Sequence, residues 1–262
     1  MIFIYPTIDP VIFSFSFIEI RWYGLAYILS FLIGSYLIKF FNSKLRVGIK
    51  PKLIDKFFIW SIIGVIFGGR IGYVIFYQLE ILIESPLYLF YIWKGGMSFH
   101  GGLTGMIISI FIFSRKNKIK FFLLADLVSL VAPIGLFFGR IANFINLELI
   151  GKITDFPIAI IYPTIDNIPR HPSQLYEAFF EGIILFIILI FIFFRNLSYN
   201  SNLHLSGLFL FLYGIFRFII EFLREPDEHL GLFFNLLSMG QILCFPLLVC
   251  GLIIIFYKKK YE

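Results

Sequence analysis

Apolar residues fill this chain in seven long blocks, separated by short joints that are basic, glycine-rich or proline-rich. The blocks run approximately over Trp22–Phe41, Phe57–Gln78, Met97–Phe113, Phe121–Phe144, Ser173–Phe194, Leu203–Phe222 and Ser238–Tyr257. Crossing a bilayer as a helix takes about 20 apolar residues, and every block approaches that length. The pattern predicts an all-α polytopic membrane bundle with seven transmembrane helices, forming one integral-membrane domain over residues 1–262. An eighth run, Ile81–Trp93, is short and broken by Pro86, so it predicts an interfacial segment. The longest joint, about 145–172, carries Pro157, Pro163 and Pro169 and predicts a short loop region outside the membrane.

Composition strengthens this picture. With 60% hydrophobic residues in 262, a soluble domain has too little interior to hide its apolar surface. The net charge of +6 raises the question of nucleic acid, but its placement answers it. Fourteen Lys and Arg residues lie in segments 39–56, 114–120, 195–206 and the tail, and five lie in the alternate joints. That asymmetry sets membrane topology: the N-terminus outside, the C-terminus cytoplasmic. No nucleic-acid partner is expected. Cys244 and Cys250 share one block, and on a helix they face different ways, which disfavours pairing or a shared metal. The N-terminus lacks a basic stretch and a small-residue cleavage site, so no cleaved signal peptide is expected.

The polar residues inside the blocks carry the chemistry. The stretch from Gly135 to Gly151 places Arg140 in hydrocarbon, with Asn143 one turn on, then Asn146 and Glu148. A guanidinium there costs about 2.5–3.5 kcal/mol even on lenient insertion scales, so it requires a partner or a task. With the orientation above, Tyr23, Arg70, His100, Arg140, Tyr213, Arg217 and Glu221 all fall in the outer half of the bilayer. An isolated Arg217–Glu221 pair, a histidine near an interface and an interfacial tyrosine are each ordinarily structural. Gly68, Gly69, Gly72, Gly101, Gly102 and Gly105 are most simply sites of close helix packing. A shared depth is what those readings leave unexplained. It implies a polar cavity open to the outer leaflet, with surplus positive charge suited to phosphate oxygens.

These motifs resemble the bacterial prolipoprotein diacylglyceryl transferase family. The resemblance is carried by Gly69-Arg-Ile-Gly-Tyr73, His100-Gly-Gly-Leu103, Gly139-Arg-Ile-Ala-Asn143-Phe-Ile-Asn146 with Glu148 and Gly151, His171-Pro-Ser-Gln-Leu-Tyr176-Glu177, and Tyr213-Gly-Ile-Phe-Arg217 through Glu221 and Arg224-Glu-Pro-Asp227. They keep family order over about residues 21–245. Leu147, Ile150 and Lys152 depart from it, standing where the family usually has glycine, tryptophan and arginine.

The resemblance implies an inner-membrane enzyme that moves the diacylglyceryl group of phosphatidylglycerol onto the lipobox cysteine of prolipoproteins, whose signal peptides would be a second membrane-bound partner. Neither metal nor cofactor is implied. The chemistry of that reaction, read against the residues themselves, suggests the roles. His100 would take the thiol proton, with Glu221 as the alternative base, and Arg140 and Arg217 would hold the leaving phosphate. Tyr23, Arg70, Asn143, Asn146, Glu148, Gly151, Tyr213 and Glu221 would bind substrate or orient the arginines. An anion or lipid transporter would also bury arginines, but it would need polar residues at the inner depth and usually an internal repeat, and the sequence has neither.

Overall fold

The computed structural model describes residues 3–15, 18–45, 48–91, 96–199, 204–226, 232–233 and 236–257. Asp227 and the basic tail lie outside the described residues. The helices are α1 (Trp22–Ser43), α2 (Pro51–Tyr77), α3 (Leu79–Glu84), α4 (Phe99–Lys116), α5 (Phe121–Ile145), α6 (Ser173–Glu177), α7 (Leu185–Tyr199), α8 (Leu205–Ile220) and α9 (Met239–Phe256). A π-helical turn, Ala178–Ile184, joins α6 to α7, so the apolar block beginning at Ser173 is one unbroken rod.

Six helical stretches among the described residues are long and apolar enough to cross a membrane. The block expected as a seventh span is helical, as α4, but falls below that measure. Gly101, Gly102, Thr104 and Ser109 dilute its apolarity, and Arg115 and Lys116 occupy its last turn. The expected interfacial run becomes the short helix α3 and a 3₁₀ turn over Pro86–Phe90.

The chain is mostly helical, as expected, and short strands accompany the helices. β1 (Phe3–Ile4) pairs in parallel with β4 (Ile160–Ile161), which pairs antiparallel with β5 (Pro169–Arg170). β2 (Val11–Phe15) and β3 (Ile18–Arg21) form a hairpin, as do β6 (Leu232–Phe233) and β7 (Leu237–Ser238). The segment 145–172 is therefore a small folded head. Its core is Tyr5, Ile160 and Tyr162, packed on by Phe144, Leu147, Ile150 and Leu175. The Tyr5 hydroxyl donates to the Ile145 carbonyl at 2.9 Å, tying the N-terminal strand to the end of α5.

The chain forms two compact units, Met1–Leu37 with Val128–Glu262, and Ile38–Leu127. In the second, α2 and α4 pack along a seam of small residues. Gly64, Gly68 and Gly72 recur every four residues on α2, as do Gly101, Gly105 and Ser109 on α4, so each set lies along one helix face. A methyl group built on Gly72 would lie 2.8 Å from the Gly101 Cα, closer than any real contact. Backbones thus meet directly, which is how helices associate where lipid removes the hydrophobic drive. Asn42 bonds both backbone groups of Ile49 at 2.7 and 2.8 Å, and Lys39 pairs with Asp55 at 2.5 Å.

In the first unit, α8 and α9 approach closely at Gly207 and Gly251. Ser238 and Gln241 cap the start of α9 reciprocally, satisfying two otherwise orphaned backbone donors. Pro133 and Pro246 lie inside α5 and α9. Cys244 is buried and Cys250 exposed, and both are free thiols.

Candidate active site

Three helices of the first unit deliver alternating charges to one buried cluster. Arg140 comes from the last turns of α5, Glu177 and Glu181 from α6 and the π turn, and Arg217 from the end of α8. Glu221 follows α8 in a 3₁₀ turn. Arg140 Nε lies 3.2 Å from Glu177 Oε2, and its Nη2 lies 3.4 Å from Glu181 Oε2. Arg217 Nη1 pairs with Glu177 Oε1, and its Nη2 lies 2.7 Å from Glu221 Oε2. Arg224 Nη1 stands 3.7 Å from the same Glu221 oxygen, and Ser238 Oγ donates to Glu221 Oε1 at 2.8 Å. Tyr213, stacked on Phe209, reaches Arg140 with its hydroxyl.

Burying these groups singly would be prohibitive, and together they neutralise one another. Three guanidiniums face three carboxylates here, so the surplus positive charge expected from sequence is not present in this cluster. The carboxylates are the deeper members. The side chains of Glu177 and Glu181 are 0% exposed, whereas those of Arg140 and Arg217 keep 14% and 10%. The acids therefore form a floor that aims the guanidiniums outward.

The π turn belongs to this arrangement. Such turns widen a helix by one residue and recur at functional sites. Gly182, within it, lets the rod approach α5: a methyl group there would lie 2.7 Å from the Phe137 Cβ. Close approach of the two helices is what brings both acids within reach of Arg140.

A second polar set lies where α1 begins and α5 ends. The Tyr23 hydroxyl donates to Glu148 Oε2 at 2.7 Å, and Asn143 Nδ2 donates to the same oxygen at 2.9 Å and also contacts the Tyr23 oxygen. Glu148 is exposed, and it is held by a tight turn after α5. Leu147 and Leu149, on either side of it, adopt left-handed backbone with φ of 58° and 57°. That conformation normally favours glycine. The Leu147 side chain packs on the Tyr5–Tyr162 cluster, which offsets the strain. Asn146 places its Oδ1 in a buried position with no hydrogen-bond partner among the described residues.

The chain then returns across the head. Gly151 N donates to the His171 carbonyl at 3.1 Å, Lys152 N to Leu223 at 2.9 Å and Glu225 N to Ile150 at 3.1 Å. A side chain at Gly151 would overlap His171. Arg170 reaches Asp166 at 2.5 Å and Glu225 at 3.1 Å. The hydrogen bond from Arg170 holds the Asp166 carboxyl below its ordinary range. Burial lowers the His171 imidazole, whose Nδ1 lies 3.2 Å from the Tyr176 hydroxyl.

Of the residues singled out from sequence, the structure joins Arg140, Arg217, Tyr213 and Glu221 in the ion-pair cluster, and Tyr23, Asn143 and Glu148 in the second set. Glu148 contacts Tyr23 and Asn143 rather than an arginine. Arg70 and His100 belong to the other unit. Arg70 is 1% exposed; its Nη2 donates to the Tyr88 carbonyl at 2.9 Å and its Nε to Leu89 at 3.3 Å, with the guanidinium 4.8 Å from the Tyr88 ring centre. His100 occupies the first turn of α4, capped by Ser98, and its carbonyl accepts from Thr104 Oγ1 at 2.8 Å. The recess in the first unit is apolar, about 550 Å³, lined by Phe3, Ile160, Pro172, Leu175 and Phe179 among others, and takes in none of the arginines. Sequence reasoning missed Glu181 and the part played by Arg224. Two acids four residues apart inside an apolar block were the available signal, since a carboxylate in hydrocarbon is as conspicuous as a guanidinium.

A multi-pass membrane protein that sets paired guanidiniums against buried acids, with a hydroxyl, an amide and an exposed carboxylate in the same unit, presents donors of the kind that suit an anionic group. The profile of the prolipoprotein diacylglyceryl transferase family matches residues 10–257, and the chain belongs to that family. It is 45% identical over 256 residues to the phosphatidylglycerol–prolipoprotein diacylglyceryl transferase of Vibrio cholerae, spanning 98% of this chain and 93% of the relative. Relatives of the same name from Photobacterium profundum and Rickettsia bellii are each 46% identical, over 258 and 252 residues. The first alignment spans 98% of this chain and 96% of the relative, the second 96% and 95%. The chain is thus a transferase, and these relatives lend the transport reading no support.

Proposed function

We propose that the chain transfers the diacylglyceryl group of phosphatidylglycerol to the lipobox cysteine of a prolipoprotein. The cysteine sulfur attacks the glyceryl carbon that bears the phosphate ester. A sulfur–carbon bond forms, the carbon–oxygen bond to phosphate breaks, and glycerol phosphate leaves. The thiol proton passes to a base. His100 is assigned that role, and Glu221 is the alternative. Glu221 already holds Arg217 and accepts a hydrogen bond from Ser238, which counts against it.

The observation that carries the proposal is the sharing of buried Glu177 by Arg140 and Arg217. One acid fixes both guanidiniums before substrate arrives, and preorganised donors stabilise developing phosphate charge without reorganising. The Arg140–Glu181 contact, at 3.4 Å, is the longest that either of these two arginines makes with an acid, and is the one of theirs a phosphate oxygen would replace. Tyr23, Asn143, Asn146 and Glu148 are assigned to the glycerol headgroup, whose hydroxyls need acceptors as well as donors. Tyr213 supports Arg140. Gly151 holds the return of the loop, and Arg70 the turn at Tyr88.

In this reading the protein lies in the inner membrane with seven spans, α4 included, the N-terminus outside, the C-terminus cytoplasmic and the site facing outward. The lysine and arginine asymmetry of the joints supports that orientation. Purified protein with phosphatidylglycerol and a lipobox peptide should give the diacylglyceryl mass increase on cysteine and release glycerol phosphate. Lipid movement between leaflets without a covalent product would overturn the reading.

A further inference from the structure

The turn that carries Glu148 is held from behind by two residues with no other evident task. Ser173 Oγ donates to the Leu149 carbonyl at 2.7 Å, and Gln174 Nε2 donates to the Glu148 carbonyl at 2.5 Å. Both side chains belong to residues that are 0% exposed. From the front, the same turn is held by Tyr23 and Asn143 on the Glu148 carboxylate, and by the Glu148 N–H bonded to the Asn143 carbonyl at 3.0 Å. Left alone, this turn would not keep its shape, because Leu147 and Leu149 both sit in left-handed backbone. Strain of this kind persists only where surrounding contacts over-determine it.

Ser173 and Gln174 also open α6, and three to eight residues later α6 and the π turn present Glu177 and Glu181 to the arginines. One helix end therefore sets both the acid floor and the Glu148 turn. We propose that Ser173 and Gln174 are positioning residues for transfer, acting through Glu148 by clamping a strained turn and registering it against the arginine cluster. The proposal rests on the transfer reading above. It extends that reading to two buried polar residues whose side chains touch no charged group of the site among the bonds described here.

The test uses the full-length protein in phosphatidylglycerol-containing vesicles with a lipobox peptide. Gln174→Ala should lower kcat by about ten- to a hundredfold, the scale of a small misplacement at a reacting centre, while the protein stays folded and membrane-inserted. Two further variants separate clamping from folding. Gln174→Glu keeps the shape but offers the donor only when protonated, so its activity should recover as pH falls, against the trend of Gln174→Ala. Leu149→Gly relieves the strain at that one of the two positions, since glycine adopts positive φ freely, and should restore part of the activity lost in Gln174→Ala or Ser173→Ala. Wild-type kcat in Gln174→Ala overturns the proposal, as does failure of both the pH recovery and the glycine rescue. A wild-type protein that forms no thioether overturns instead the transfer reading on which it rests.

Discussion

Arg140 and Arg217, on different helices, are held by the two oxygens of one buried carboxylate, that of Glu177. Two like charges at membrane depth would repel; the acid between them turns the pair into one rigid unit. Removing one partner from a buried pair typically costs about 3–5 kcal/mol, because it leaves uncompensated charge. Glu177→Gln, which keeps the shape, should therefore lower the thermal unfolding midpoint in detergent markedly and abolish transfer. A variant as stable as wild type would mean that Glu181 and Glu221 alone suffice to hold the two arginines.

Lysine should not replace either arginine. Arg140 uses Nε and Nη2 on different acids, and Arg217 uses both Nη atoms. A lysine ammonium keeps the charge but has no planar fork, so it cannot bridge two carboxylates with fixed geometry. Arg140→Lys and Arg217→Lys should each reduce kcat at least about a hundredfold, the scale of losing a preorganised donor. Near-normal turnover in both would show that charge alone suffices and that the fork is unimportant.

The head should loosen in acid. Burial lowers His171 below its ordinary value of about 6.5, so the unfolded chain binds that proton more readily than the folded head. Its contribution to stability is complete above that value and is lost as pH falls below it. Asp166, lowered by Arg170, has the same sign, but its contribution is lost only as pH falls below the ordinary carboxylate range. Amide protection over residues 150–171, corrected for the intrinsic exchange rate at each pH, should therefore fall in two steps as pH falls, and His171→Asn should abolish the upper step alone. An upper step that survives the substitution would assign it to another group.

How far the sequence disclosed this molecule depended on the range of the interaction. Helix positions followed from local apolar blocks, so α5 begins at Phe121 and α9 spans nearly the expected residues. Arg217 and Glu221 lie four apart and could be paired by helical spacing alone. Glu177 could be placed in a motif, but its bond to Arg217 joins residues 40 apart and follows only from packing. From sequence the head has only the signature of a loop, because its sheet pairs Phe3 with Ile160, which no local pattern announces. Leu147 shows the same limit: a left-handed turn normally advertises itself by glycine, and here a leucine occupies it because its side chain is buried against the head.

The two glycines of the His100-Gly101-Gly102 motif should behave oppositely. They are neighbours in sequence, yet a quarter turn or more apart on α4. Gly101 meets α2: a methyl there would come within 3.0 Å of the Gly72 Cα and nearer still to the Gly68 carbonyl, so backbone would have to move. Gly102 has nothing nearer than Val65, at 3.7 Å, which is ordinary contact. Gly101→Ala should therefore destabilise by about 1–3 kcal/mol, the cost of overpacking. Gly102→Ala should be neutral or stabilise by up to about 1 kcal/mol, since alanine is the better helix former. Thermal unfolding of both variants in the same detergent checks this. Equal destabilisation would mean that the motif is kept for something other than the α2–α4 seam, and a shift confined to Gly101 would assign the seam to that glycine alone.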